Sequence, residues 1–189
     1  LYAYYYDNAS VNVRDYYDLE GESLRRAFLR APLEFGRITS RYTMKRFHPV
    51  QRRWKAHLGT DYAAPKGTPI LSTAKGRIIA ARYTSANGNY VKVKHNGTYT
   101  TQYLHMSRIK SGIKPGVWVE QGEVIGYVGA TGLATGPHVC YRFWKNGVQV
   151  DALKQDLPKT ESLPKTEMSN FLSSIVAIRA QLEALSAEG

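Results

Sequence analysis

The sequence predicts a mainly β protein: an antiparallel sheet assembly or barrel, with a short strand-and-helix extension at the N-terminus and an α-helix at the C-terminus. From about Gly36 to Val150, short runs rich in Val, Ile, Thr and Tyr are separated by Gly, Pro and Asn. Their spacing, near ten residues, is the rhythm of strands joined by turns. After Asp151 the period changes. Met168, Phe171, Leu172, Ile175, Ile178, Leu182 and Leu185 recur at mostly helical spacing and give an amphipathic helix whose apolar stripe packs on the parent domain. No heptad, repeat array or low-complexity tract is present.

Taken in order, residues 1–35 form the N-terminal extension. Tyr2, Tyr4, Tyr5, Tyr6, Tyr16 and Tyr17 suit edge strands or a hairpin turning around Asp7-Asn8. A short helix is expected next, with Ser23 as N-cap, Leu24, Ala27 and Phe28 as its stripe, and Pro32 as its stop. Residues 36–153 make the β domain, through the runs Ile70–Ser72, Gly76–Tyr83, Tyr90–His95, Thr98–His105, Gly122–Val128 and His138–Lys145. Residues 154–189 are a linker, marked by Pro158 and Pro164, and the helix. Asn96-Gly97 is a strong signal for a two-residue type I′ turn, because both central positions need positive φ. That turn pairs His95 with Thr98 and Tyr90 with Tyr103, and puts Val91, Val93 and Leu104 on one face. Tyr90, Lys92, Tyr99, Thr101, Tyr103 and His105 fall on the other, a polar and aromatic face suited to a groove. His95 reads as a solvated turn residue.

Charge narrows the search for chemistry. Twenty-six Lys and Arg against fifteen Asp and Glu leave a net +11, which suits a polyanionic partner. Charge alone does not carry a nucleic-acid reading. One cysteine, Cys140, excludes an internal disulfide framework and any multi-cysteine zinc site. No run approaches the ~18–20 apolar residues of a membrane-spanning helix. The chain starts at Leu1 without Met or a signal pattern, which reads as a piece of a longer precursor. Between Phe35 and Val119 sixteen Lys and Arg accompany one acidic residue, Asp61. A lone carboxylate in so basic a segment invites a functional reading.

The histidines sharpen it. His57 and Asp61 occur in His57-Leu58-Gly59-Thr60-Asp61, and His138 and Cys140 lie two apart in a predicted strand, so both point to one face. A His-x-Cys pair on a strand offers either N and S metal ligands or reactive groups. Zinc accepts His nitrogen, Asp oxygen and Cys sulfur, and catalytic zinc sites use three protein ligands.

Three ordered motifs then resemble the lysostaphin-type (LytM-like) zinc metallopeptidases. His57 to Ile70 is similar to that family's first metal motif, and Gln102-Tyr103-Leu104-His105 to its second. Thr131 to Tyr141, with Gly136-Pro137-His138-Val139-Cys140, is similar to its third, which normally ends His-x-His. The resemblance spans about Arg37 to Leu153. It implies that His57, Asp61 and Cys140 hold Zn2+, and that His105 and His138 handle proton transfer and oxyanion charge. It also implies a substrate: peptide bonds in the stem peptides or cross-links of bacterial peptidoglycan, cut in the cell envelope, periplasmic or extracellular. Tyr103 and Tyr90 are then expected as groove walls for that substrate. Arg46, His48, Arg52, Arg53 and Lys55 are expected on a groove-edge loop, and a regulatory protein or N-terminal region is a possible partner.

The departure is Cys140. A thiolate is a good zinc ligand but adds negative charge, which weakens the metal as an electrophile. It lends support to a catalytically weak or inactive relative that binds peptidoglycan or activates another hydrolase. A cysteine peptidase with Cys140 as nucleophile leaves Asp61 unexplained. A lipoyl- or biotinyl-type carrier, suggested by Lys114 to Gly129, leaves the histidines unexplained.

Overall fold

The computed structural model describes residues 2–24, 27–48, 52–157 and 161–187. The chain forms two compact units, residues 1–27 with 157–189, and residues 28–156. The two ends of the chain, read from the sequence as separate extensions, thus belong to one unit.

In that unit, β1 (Tyr4–Asn8) and β2 (Val13–Tyr17) pair antiparallel, Tyr4 opposite Tyr17. The turn falls at Ala9–Asn12, later than Asp7-Asn8, because the Asn8 side chain accepts from Ser10 N and Asn12 takes the left-handed conformation at φ 56°. Alternation sends Tyr4, Tyr6, Val13 and Tyr17 to one face. The C-terminal helix (Met168–Ala187) fills that face with Phe171 and Ile175. Three tyrosine rings, Tyr4, Tyr6 and Tyr17, meet Phe171 edge-on at centroid distances of 6.5, 5.6 and 5.9 Å. Glu167, just ahead of the helix, accepts from the Tyr6 hydroxyl and Asn8 Nδ2, which holds its carboxyl below the usual range. Phe171→Ala is expected to destabilise this unit by about 3–5 kcal/mol, the usual cost of emptying an aromatic core position. Urea unfolding followed by tyrosine fluorescence measures it.

The expected helix after Ser23 does not form among the described residues. Ser23 bridges to Tyr17 and Leu24 N donates to Tyr16 O. In the larger unit Leu29 N donates to Thr73 O. Backbone donors that a helix would satisfy locally go instead to distant carbonyls, and Phe28 and Leu33 are buried.

The larger unit holds the other thirteen strands found among the described residues. They are β3 (Arg37–Ser40), β4 (Thr43–His48), β5 (Arg53–His57), β6 (Thr60–Ala63), β7 (Pro69–Leu71), β8 (Gly76–Thr84), β9 (Gly88–Lys94), β10 (Tyr99–Met106), β11 (Arg108–Ile109), β12 (Trp118–Val119), β13 (Val124–Tyr127), β14 (His138–Lys145) and β15 (Val148–Val150). An eight-stranded antiparallel sheet runs β12-β8-β9-β10-β14-β6-β3, with β15 added on β14. A three-stranded sheet (β11-β13-β7) and the β4–β5 hairpin complete the unit.

The β9–β10 hairpin corrects the expected register by one residue. Thr101 lies opposite Val93 and Tyr103 opposite Val91. Asn96 Oδ1 accepts from both Thr98 N and Tyr99 N, closing a three-residue loop in which neither Asn96 nor Gly97 takes positive φ. An odd loop sends the other half of β10 inward. Tyr103 therefore joins Val91, Val93, Tyr141 and Phe143 in the core, and Leu104 moves to the opposite face. His95 is half-buried rather than solvated. Its ring bonds Lys75 O and Thr101 Oγ1, and burial pushes its pKa down to about 4.

Candidate metal centre

The face of the sheet opposite that core carries the site. Cys140 on β14 lies between Asp61 on β6 and Leu104 on β10, in register across three adjacent strands. His57, at the end of β5, turns back over the same point through Leu58-Gly59, because Asp61 follows four residues later. Gly59 permits the close approach. A Cβ there would stand 2.9 Å from Tyr141 O and 3.0 Å from both Cys140 Sγ and Arg142 Cγ. Gly59→Ala is expected to cost about 1–3 kcal/mol by overpacking, read in unfolding of the metal-free chain.

The three donor atoms of His57, Asp61 and Cys140 all lie within 4.8 Å of one another, and all three residues are buried. His57 Nε2 is 3.0 Å from Asp61 Oδ1 and 3.5 Å from Cys140 Sγ. His57 Nδ1 contacts the Arg41 carbonyl at 3.1 Å and Ser40 Oγ at 3.2 Å. A carbonyl oxygen only accepts, so Nδ1 carries the proton and the Nε2 lone pair is available to the cluster. Two lone pairs facing each other at 3.0 Å require a cation between them, either a proton or a metal ion. Among the described residues Asp61 Oδ1 has no hydrogen-bond donor by geometry, while Arg46 Nη1 stands 3.5 Å from Oδ2. Burial would raise the Asp61 pKa, but His57 and His138 beside it outweigh that and leave it lowered. Nitrogen, carboxylate and sulfur donors at this separation fit a zinc ion.

Two more imidazoles flank the cluster. His105 sits where the β9–β10 register slips, in the left-handed conformation at φ 64°, and the bulge turns its ring into the site. Its Nδ1–H donates to Thr131 O at 2.8 Å, and burial lowers its pKa to about 4. His138 Nδ1–H donates to Gly136 O at 2.8 Å, leaving Nε2 3.9 Å from Asp61 Oδ1. The His105 and His138 rings lie 4.8 Å apart. Each of the three imidazoles thus has its Nδ1 on a backbone carbonyl, which leaves Nε2 as the free ring nitrogen.

The structure brings His57, Asp61, Cys140, His105 and His138 together, and removes Tyr103 and Tyr90 from the groove. Tyr103 is fully buried, its hydroxyl bonded to Thr73 and Thr101 in the core. Tyr90 is buried against Leu104 and Cys140, with its hydroxyl accepting from Arg82. The register shift and the packing of these strands account for both. The site opens into a cavity of about 280 Å3 lined by Arg46, Lys55, Asn87, Leu133 and Arg142 besides the cluster. Arg46, Arg53 and Lys55 stand on the β4–β5 strands rather than on a loop. The His48 side chain lies outside the described residues. Cys140 is 2% exposed and burial pushes its thiol up to about 12, the reverse of what a nucleophilic cysteine needs. Sequence reasoning missed Arg142 as a site residue, although it stands two positions beyond Cys140 on the same strand face.

An antiparallel β fold with a buried nitrogen, oxygen and sulfur donor cluster, attended by two further imidazoles, defines a protein whose site is built to hold a metal ion. Residues 55–152 match the model of peptidase family M23, and the chain belongs to that family. It is 41% identical over 175 residues to the peptidoglycan DD-endopeptidase ShyC of Vibrio cholerae serotype O1, covering 93% of this chain and 40% of that protein. A crystal structure of a zinc-containing peptidase from Vibrio cholerae superposes with a TM-score of 0.65 and 40% identity, over 82% of this chain and 47% of the other. The catalytic domain of the antimicrobial peptidase lysostaphin from Staphylococcus simulans shares the fold at a TM-score of 0.54 and 25% identity, over 61% of this chain and 88% of that domain. The chain spans about two fifths of the length of ShyC.

Proposed function

We propose that the protein is a zinc-dependent endopeptidase that hydrolyses peptide bonds in the stem peptides or cross-links of bacterial peptidoglycan, in the periplasm or at the outer face of the envelope. The observation that carries this reading is the convergence of His57, Asp61 and Cys140, with two further imidazoles beside them, in a family whose relatives are named for that reaction. His57, Asp61 and Cys140 hold the metal. Zinc, when bound, supplies a Lewis acid that polarises the scissile carbonyl and makes water more acidic. With Nδ1 bonded to main chain, His105 and His138 leave Nε2 to work on the proton: the ring that takes it from the attacking water would hold it as N–H, facing the developing oxyanion, and then pass that same proton to the leaving amine. Arg46 holds the outer oxygen of Asp61, fixing which oxygen faces the cluster. The basic surface suits an anionic wall polymer.

Purified sacculi incubated with the zinc-loaded protein are expected to yield muropeptides shortened at a peptide bond. A chelator is expected to stop the reaction and added zinc to restore it. Zinc-loaded protein that binds sacculi and releases no product would instead identify the non-catalytic relative to which Cys140 lends support.

A further inference from the structure

His138, Cys140 and Arg142 alternate along β14 and share the face that carries the site. Arg142 lines the same cavity as Cys140. The absence of a side chain at Gly59 leaves room for Cys140 Sγ and Arg142 Cγ side by side. Arg142 Nε is buried and has no hydrogen-bond partner among the described residues. None of the ion pairs among those residues involves Arg142. A buried guanidinium nitrogen without an acceptor is costly, and it is a donor waiting for an anion.

The donor set says which anion. With imidazole in the third position, the protein ligands would carry one negative charge, on Asp61. With Cys140 as a thiolate they carry two. We infer that Arg142 is the counter-ion of the Cys140 thiolate: a positioning residue that fixes the sulfur, offsets its added charge and so limits the loss of metal electrophilicity. This rests on the ligand assignment proposed above. Outer-shell partners of this kind typically govern metal affinity by about 10–100-fold.

The test is a double-mutant cycle on the whole chain, with zinc affinity measured by competition against a chromophoric chelator. Arg142→Gln is expected to weaken zinc binding by about 10–100-fold when Cys140 is present. In the Cys140→His background, the same change is expected to leave affinity unchanged or to tighten it. In cobalt-loaded protein, the thiolate-to-metal charge-transfer band is expected to shift in Arg142→Gln and to be partly restored in Arg142→Lys. Equal losses in both backgrounds, or an unmoved band, overturn the inference. So does a rise in KM for muropeptide with affinity and band unchanged, which would make Arg142 a substrate contact. Arg142→Lys and the unfolding midpoints of the metal-free chains separate a folding defect from a lost counter-ion. If Cys140→Ala binds zinc as tightly as wild type, the ligand assignment itself is wrong. If Cys140→Ala loses zinc and Arg142→Gln does not, only the role of Arg142 fails.

Discussion

Asp61→Ala is expected to empty the proposed metal centre. Wild-type protein is expected to carry about one zinc per chain, and the variant to lose affinity by more than about a hundredfold, beyond the range typical of outer-shell changes. The reason lies in the donor geometry. Among the described residues Asp61 offers the only acidic side chain within the donor cluster, and its inward oxygen stands 3.0 Å from His57 Nε2. Without it, a soft sulfur and one imidazole remain, and the Arg46 guanidinium loses its anionic partner at the site's edge. Elemental analysis after dialysis measures the loss, and hydrolysis of muropeptides should vanish with the metal. Equal zinc in both proteins would take Asp61 out of the ligand set.

His105→Ala and His138→Ala are expected to behave differently, keeping zinc while hydrolysis falls by about 10²–10⁴-fold, the usual contribution of a positioned acid or base. Both rings have Nδ1 bonded to main chain and Nε2 left free, and His105 is held neutral near pH 7 by burial. Neither is needed to complete a three-donor set. Zinc content and initial rates on the same preparations separate the two roles. Should His138→Ala lose zinc while Cys140→Ala keeps it, the roles within that pair exchange.

The residues with distinctive chemistry were legible in the sequence. A solitary acid in a basic segment, a His two positions before the one cysteine, and three motifs in order mark the cluster without any structure. What was not legible depends on groups that every residue carries. The carbonyls of Arg41, Thr131 and Gly136 orient the imidazoles, yet nothing in a residue's identity announces such a task. The hairpin failed for a different reason. Asn96 satisfies two backbone donors through its side chain, and that lengthens the loop and reverses the face of Tyr103. The segment after Ser23 failed because long-range backbone bonds prevailed over a short apolar periodicity. Strand alternation alone puts Arg142 on the face of Cys140, but nothing in its identity sets it apart in a chain with twenty-six Lys and Arg.

The three carbonyl anchors have a further consequence. Many metal-site histidines lean on a carboxylate, which lets go of the ring once acid protonates it. A peptide oxygen has no such titration. The tautomers of His57, His105 and His138 are therefore set by the fold itself, and no side chain has to stay ionised to hold the three rings in place. In the envelope role proposed above, the aim of the rings would not depend on how acidic the surrounding medium becomes.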